Sequence, residues 1–118
     1  MMEEFNIKEK NIGEISILYL EGFLDAHTSG TLENAFEKLI NDKRSRVIVN
    51  FEKLTYISSA GLGVFMAYIE NMRNNNGDIK LCNMSDKIFN IFDMLGFPVL
   101  FEIFKKEDSA LTKFQNGI

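Results

Sequence analysis

Two spacings of apolar residues take turns along this chain, one of period two and one of period near 3.6, and their order predicts alternating strands and helices. Phe5 and Ile7 alternate with polar neighbours. After a turn at Asn11-Ile12-Gly13, the run EISILYL is apolar at Ile15, Ile17, Leu18, Tyr19 and Leu20. These segments predict an antiparallel hairpin. Its second strand is apolar on both parities, so it is expected to be covered at least in part on both faces. From Thr31 to Asn41 the apolar positions Leu32, Ala35, Phe36, Leu39 and Ile40 mark one buried face of a helix that Thr28, Ser29 or Thr31 is placed to cap. The polar run Asn41 to Arg46 then leads into Val47-Ile48-Val49, a β-branched run suited to a central parallel strand that ends at Asn50.

The second half repeats the pattern. Leu62, Phe65, Met66, Ile69 and Met72 form the apolar stripe of a second helix, with Gly63, Ala67, Glu70, Asn71 and Asn74 opposite. Asn74-Asn75-Asn76-Gly77 stops it, and Ile79 to Cys82 is the next strand. Ser85 is placed to cap a third helix that buries Ile88, Phe89, Ile91, Phe92 and Leu95 and ends at Gly96, with Pro98 in the loop beyond. A short strand over Phe101 to Phe104 and a helix from Glu107 to Gln115 close the chain. The predicted fold class is α/β: a small mixed, mostly parallel sheet with an N-terminal antiparallel hairpin and about four helices, as one domain over residues 1–118.

With 118 residues, 46% hydrophobic, the chain is long enough to bury a core without staples. A net charge of −4 argues against a nucleic-acid partner, which calls for a dense basic face, and the one basic cluster, Lys43-Arg44-Ser45-Arg46, reads as a solvated turn. The single cysteine, Cys82, excludes an internal disulfide and a cysteine-rich metal site, and its place at the end of an apolar strand points to burial. MMEEFNIKEK has no apolar core or small-residue cleavage site, and no apolar run approaches the roughly 20 residues of a membrane span. A cytoplasmic location without membrane insertion is therefore expected.

The chemistry concentrates in Tyr56 to Val64, YISSAGLGV, where a strand hands over to a helix. Ser58 and Ser59 stand at the helix entrance. Two serines there are most often caps for the unpaired amides of the first turn. The positive end of the helix would also stabilise a phosphate on either one, and Ala60 and Gly61 leave room for something to approach. Gly63 and Ala67, one turn apart on the polar face, suit close contact with a partner. Val64 and Tyr68 would lie at its margin, although a solvent face also tolerates small residues. Asp25 is read as a loop carboxylate that caps the next helix or as a group shaping the serine site. Asn50 is read as a strand terminator bonded to the following chain or, with Asp25 and Ser59, as part of a polar edge at the carboxyl ends of the strands. His27, the only histidine, reads as a loop residue. No GxxxxGK[ST], HExxH, CxxC or GxSxG motif is present, so no enzyme activity and no cofactor are expected.

Three stretches carry a family resemblance. They are Asn50-Phe51 followed by Tyr56-Ile57-Ser58-Ser59-Ala60-Gly61-Leu62-Gly63; Glu21-Gly22-Phe23-Leu24-Asp25-Ala26; and Ile91 to Phe104, with Met94-Leu95-Gly96-Phe97 and Leu100-Phe101. With the order of strands and helices around them they resemble the STAS domains, the family of bacterial anti-sigma factor antagonists, and the resemblance extends over nearly the whole chain, from about Phe5 to Phe114. The resemblance implies that Ser59 is the phosphoacceptor, that Asp25, Asn50 and Gly61 shape its site, and that Ala60, Leu62, Gly63, Val64, Ala67 and Tyr68 meet a partner. That partner would be an anti-sigma factor that is also a serine kinase. The unphosphorylated domain binds it and frees the sigma factor, phosphorylation releases the domain, and a metal-dependent serine phosphatase resets the cycle. Ser58 stands where many antagonists carry aspartate, which makes it a second candidate acceptor or a cap. Two other functions stay open: a STAS scaffold in a stress-sensing or transport complex, and a small-ligand or nucleotide sensor. A monomer or weak dimer is expected.

Overall fold

The computed structural model describes residues 5–117; Met1–Glu4, part of the segment read as lacking a leader, and Ile118 lie outside the described residues. The elements run β1 (Asn6–Ile12), β2 (Ile15–Leu24), α1 (Ser29–Asn41), β3 (Arg46–Ile57), α2 (Ser59–Asn74), β4 (Asp78–Cys82), α3 (Asp86–Met94), α4 (Phe97–Leu100), β5 (Ile103–Phe104) and α5 (Glu107–Gln115). The five strands lie side by side in chain order, β1 antiparallel to β2 and all later neighbours parallel. This is the mixed sheet expected from the hydrophobic pattern. Its four longer helices are those foreseen, and α4 is a single turn.

The two parities of β2 account for the layering. Leu18, Leu20 and Leu24 bury with Val47, Val49 and Phe51 of β3 in one core, against Leu32, Phe36 and Leu39 of α1, Phe65 and Met72 of α2 and Phe92 of α3. Ile15 and Ile17 turn to the opposite face, where Ile48 and Cys82 meet Ala110 and Phe114 of α5. Cys82 is thus enclosed, and burial pushes its thiol up to about 12, which leaves it unreactive near neutral pH. One cation is also inside. Lys80 is fully buried, its Nζ donating to Asp78 Oδ2 at 3.0 Å and to Glu102, and lying 4.6 Å from the centre of the Phe114 ring. Arg73 Nε donates to the other oxygen of Asp78 at 2.9 Å.

Four expectations are corrected. In α2 the buried arc centres on Phe65 and Met72, so Val64 falls inside it, and Met66, one step round the helix, is 46% exposed. Strand β3 does not stop at Asn50 but runs on to Ile57, with register shifts against β2 that absorb extra residues on β3. In the third helical region Ile88 and Phe92 are buried, whereas Phe89 and Leu95 are exposed. Pro98 lies within α4, in the first turn, where its missing amide is not needed.

Candidate functional site

Strands β2 and β3 end together, with Leu24 opposite Ile57, and there the chain enters α2. The Ser58 amide donates to the Leu24 carbonyl at 2.9 Å, which carries the strand pairing one residue past β3. Ser58 is the N-cap, with φ −100° and ψ 173°, and its Oγ accepts from the Gly61 amide at 3.4 Å while its carbonyl accepts from the Leu62 amide at 3.0 Å. Of the two serines, Ser58 therefore caps. Ser59 is the first residue of the helix, exposed, and its hydroxyl has no hydrogen-bond partner among the described residues. The first turn of α2 contains no acidic residue, so an anion on Ser59 would meet the positive end of the helix without a like charge in that turn.

The residues expected around this serine divide into those that present a surface and those that support one. Ser59, Ala60, Gly63 and Ala67 are exposed, and with Met66 and Glu70 they make the outward face of α2. A Cβ added at Gly63 would meet nothing within 4 Å. Leu62 and Val64, expected at the interface, are instead buried at 6% and 4% exposure, because they lie on the flanks of the helix that packs on the sheet. Tyr68 is half-buried, stacked on Phe36 with ring centroids 5.2 Å apart, and its hydroxyl donates to Glu37 Oε2 at 2.7 Å. That bond and burial push the phenol up to about 12 and tie Tyr68 to α1.

Gly61 does not leave room for an approaching group. It is buried, and a Cβ there would stand 2.7 Å from Leu24 Cγ and 3.1 Å from Ile57 Cγ1. The glycine lets α2 sit directly on the strand ends. We expect Gly61→Ala to cost about 1–3 kcal/mol through overpacking, seen as a lower urea midpoint with unchanged slope; a midpoint equal to wild type would refute this account.

Asp25 lies at the same end of the sheet, directly after Leu24, and its carboxylate is used locally. Oδ1 accepts from the amides of His27 at 2.9 Å and Thr28 at 3.2 Å, closing the turn that opens α1. Thr28 completes the turn by donating its hydroxyl to the Phe23 carbonyl at 2.8 Å and accepting the Asp25 amide at 2.9 Å. Thr28 is the N-cap of α1 by position, yet its side chain serves the turn rather than the helix. His27 is exposed and joins the turn through its backbone.

Asn50 is not brought to the serine. It sits seven residues before Ile57, on the order of 20 Å along an extended strand. Its buried side chain accepts from the Glu52 amide at 2.9 Å across the irregular stretch of β3 and donates to Glu107 Oε1 at 3.0 Å. Glu107 also accepts from the Tyr19 hydroxyl at 3.1 Å. Burial first and Glu107 second push that phenol up to about 12. Asn50 thus fastens α5 to the sheet. The structure adds Phe23 and Tyr56, paired across β2 and β3, exposed, with ring centroids 5.4 Å apart immediately before the serine turn. The alternation Phe23/Leu24 and Tyr56/Ile57 held this signal, but only for strands extended beyond their expected ends. Among the described residues no cluster of His, Cys, Asp and Glu is arranged to hold a metal ion, and no helix is long and apolar enough to cross a membrane.

Comparison with known proteins bears on this geometry. The family model of the STAS domain matches residues 6–110. The chain is similar to the anti-sigma-B factor antagonist of Listeria monocytogenes, 28% identical over 97 residues that cover 82% of this chain and 84% of the relative. It is also similar to the anti-sigma F factor antagonist of Paenibacillus polymyxa, 24% identical over 102 residues covering 86% of this chain and 87% of that one. The fold resembles that of the Bacillus cell fate determinant SpoIIAA in its phosphorylated form, with a TM-score of 0.72, 21% identity and coverage of 94% of this chain and 99% of that structure.

Proposed function

Because the chain belongs to the STAS domain family, we propose that it is an anti-sigma factor antagonist working by partner switching, with Ser59 as the phosphoacceptor. It is then a substrate of enzymes and not itself an enzyme: an anti-sigma factor with serine kinase activity binds the unphosphorylated form, and a metal-dependent serine phosphatase restores it. The similarity to named antagonists supports the class of partner. The observation that carries the residue assignment is the state of the two hydroxyls. Ser58 Oγ is engaged in capping, whereas Ser59 is exposed and unbonded at the first position of a sixteen-residue helix. A kinase reaches Ser59 without dismantling a cap.

A phosphate at Ser59 adds about −1.5 to −2 charge. Held by the helix dipole, it leaves the fold intact and changes only what the outward face of α2 presents. Removal of the acceptor and mimicry of the product should therefore separate folding from binding. Ser59→Ala is expected to fold, bind the partner and take no phosphate. Ser59→Asp is expected to fold at least as well, since a carboxylate suits the first turn, and to bind more weakly, most clearly at low salt. Ser58→Ala should lose about 1 kcal/mol of stability with its cap and still be phosphorylated. The experiment incubates wild type and the three variants with the candidate kinase and ATP, then measures mass, melting temperature and partner affinity. Phosphate on Ser59→Ala at the wild-type level, or none on wild type, rejects the assignment.

A further inference from the structure

We propose that Met66 is a second, oxidative input to the switch: conversion of its thioether to the sulfoxide by a peroxide takes the anti-sigma partner off the outward face of α2. The inference rests on the proposed partner surface and adds to it a chemistry that needs no kinase. Along α2 the residues Ser59, Gly63, Met66 and Glu70 follow one another at steps of four, three and four, which puts them within an arc of about 60° on one side of the helix. Met66 is the large apolar side chain of this stripe. It is 46% exposed, whereas Leu62, Phe65, Ile69 and Met72 around it are buried. Nothing lies within 4 Å of a Cβ added at Gly63, so the Met66 side chain is not folded down over the glycine, and the ground at Gly63 is open. A partner that comes close at Gly63 therefore has to take up Met66 as well. A methionine suits that, being flexible, polarisable and apolar. Ser59 is seven residues away, about 10 Å along the axis, so phosphate and sulfoxide act on one contact surface.

The step needs only hydrogen peroxide. A lone pair on Sδ attacks one peroxide oxygen, and the O–O bond breaks as the S–O bond forms. The departing hydroxide takes the remaining proton of the transferred oxygen and leaves as water. The sulfur loses two electrons and the peroxide gains them. The product is polar where the thioether was apolar, and a polar group buried against a partner without a hydrogen bond costs affinity. Because the side chain is exposed in the free domain, the fold has no contact to lose. A methionine sulfoxide reductase with a dithiol as electron donor returns the thioether and releases water, which makes the input reversible, as a phosphate is. A bound partner covers the sulfur, so the free form is the one that is oxidised.

The chain contains its own controls. Met72 is fully buried and Met84 is packed against the main core, whereas Met94 is 82% exposed but belongs to α3. Cys82 is buried and is spared.

The purified full chain is treated with graded hydrogen peroxide, and peptide mass mapping locates the added oxygen by residue, so that Met1 and Met2 are counted separately. Melting temperature and affinity for the anti-sigma kinase of the Ser59 experiment are measured at each dose. Met66 and Met94 should each gain one oxygen before Met72 does, with melting temperature unchanged. Affinity should fall about tenfold or more in step with Met66 oxidation, and a methionine sulfoxide reductase with dithiothreitol should restore it. Bound partner should slow the oxidation of Met66 and not that of Met94. Met94→Leu should lose affinity under peroxide as wild type does, whereas Met66→Leu should show the same affinity before and after treatment. Untreated wild type that does not bind the partner refutes the partner reading itself and this inference with it. Untreated wild type that binds, and binds equally with Met66 oxidised, overturns this inference alone. A peroxide loss that persists in Met66→Leu, or a Met66 oxidised no faster than Met72, does the same.

Discussion

Replacing Lys80 with alanine should destabilise the protein by about 3–5 kcal/mol, the cost of removing one partner from a buried ion pair. The expectation rests on asymmetry. Asp78 is almost as buried as Lys80, with its side chain 8% exposed, and one of its oxygens has Lys80 as its partner while the other has Arg73. Without the ammonium, Arg73 alone must compensate a carboxylate that water hardly reaches, and the lysine stem no longer fills the space against Phe114. Glu102 matters less, since its side chain is 43% exposed and has Lys113 nearby at 3.7 Å. Lys80→Met, which keeps the stem, should lose less than alanine by the packing share alone, and Glu102→Gln should lose less than either. Urea titrations of the three variants decide the matter. A loss below about 1 kcal/mol for Lys80→Ala would place this network with surface pairs, which contribute that little.

The second large effect is expected on binding and not on stability. Gly63→Gln should leave the fold neutral or up to about 1 kcal/mol more stable, because glycine is the poorer helix former and a side chain there has open space around it. Partner affinity should fall roughly ten- to hundredfold, the equivalent of the 1–3 kcal/mol that overpacking typically costs. Gly61→Ala is the internal control. It stands two residues earlier on the same helix, but its Cβ would strike Leu24 and Ile57, so it should lose stability while the outward face is unchanged. Titration of the proposed anti-sigma partner with each variant separates the two glycines. Wild-type affinity in Gly63→Gln would show that the outward face of α2 is not where the partner sits.

Much of the fold was legible because the apolar periods are clean. The β-branched run Val47 to Val49 could be little else than an interior strand, and the sheet places it between β2 and β4. The helix ends were readable where chemistry fixes them: Ser85 caps α3 by accepting the Ile88 amide at 3.2 Å. What pattern could not give was the choice made by tertiary packing. Whether Val64 or Met66 joins the core depends on where the centre of the buried arc falls, and a helical stripe leaves that uncertain by a residue on either side. The extension of β3 was hidden because Asn50 read as the end of the β-branched run, whereas Glu52 and Lys53 beyond it are exposed strand residues at an irregularity that Asn50 bridges. For the site, the pair Ser58-Ser59 was visible, but their division of labour needed the backbone. A cap is defined by which oxygen faces the amide of Gly61, and the sequence offers both. Of the two readings of Asn50, the bond to the following chain is present, in the Glu52 amide, whereas the tie to Glu107, 57 residues away, was not legible.

The sheet is not equally wide along its length. β4 pairs with β3 only from Arg46 to Asn50, and β1 reaches no further than Glu21, so from Gly22 and Leu54 onward β2 and β3 continue as a ribbon of two. Ser58 hangs from the end of that ribbon through the Leu24 carbonyl. With no flanking strand on either side, the ribbon is held by packing instead, through Leu24, Leu54 and Ile57 in the main core and through α2 seated on its end. In the switch we propose, the mark on Ser59 is therefore written where two strands and the helix seated on them, and not the five-stranded base, stand behind it.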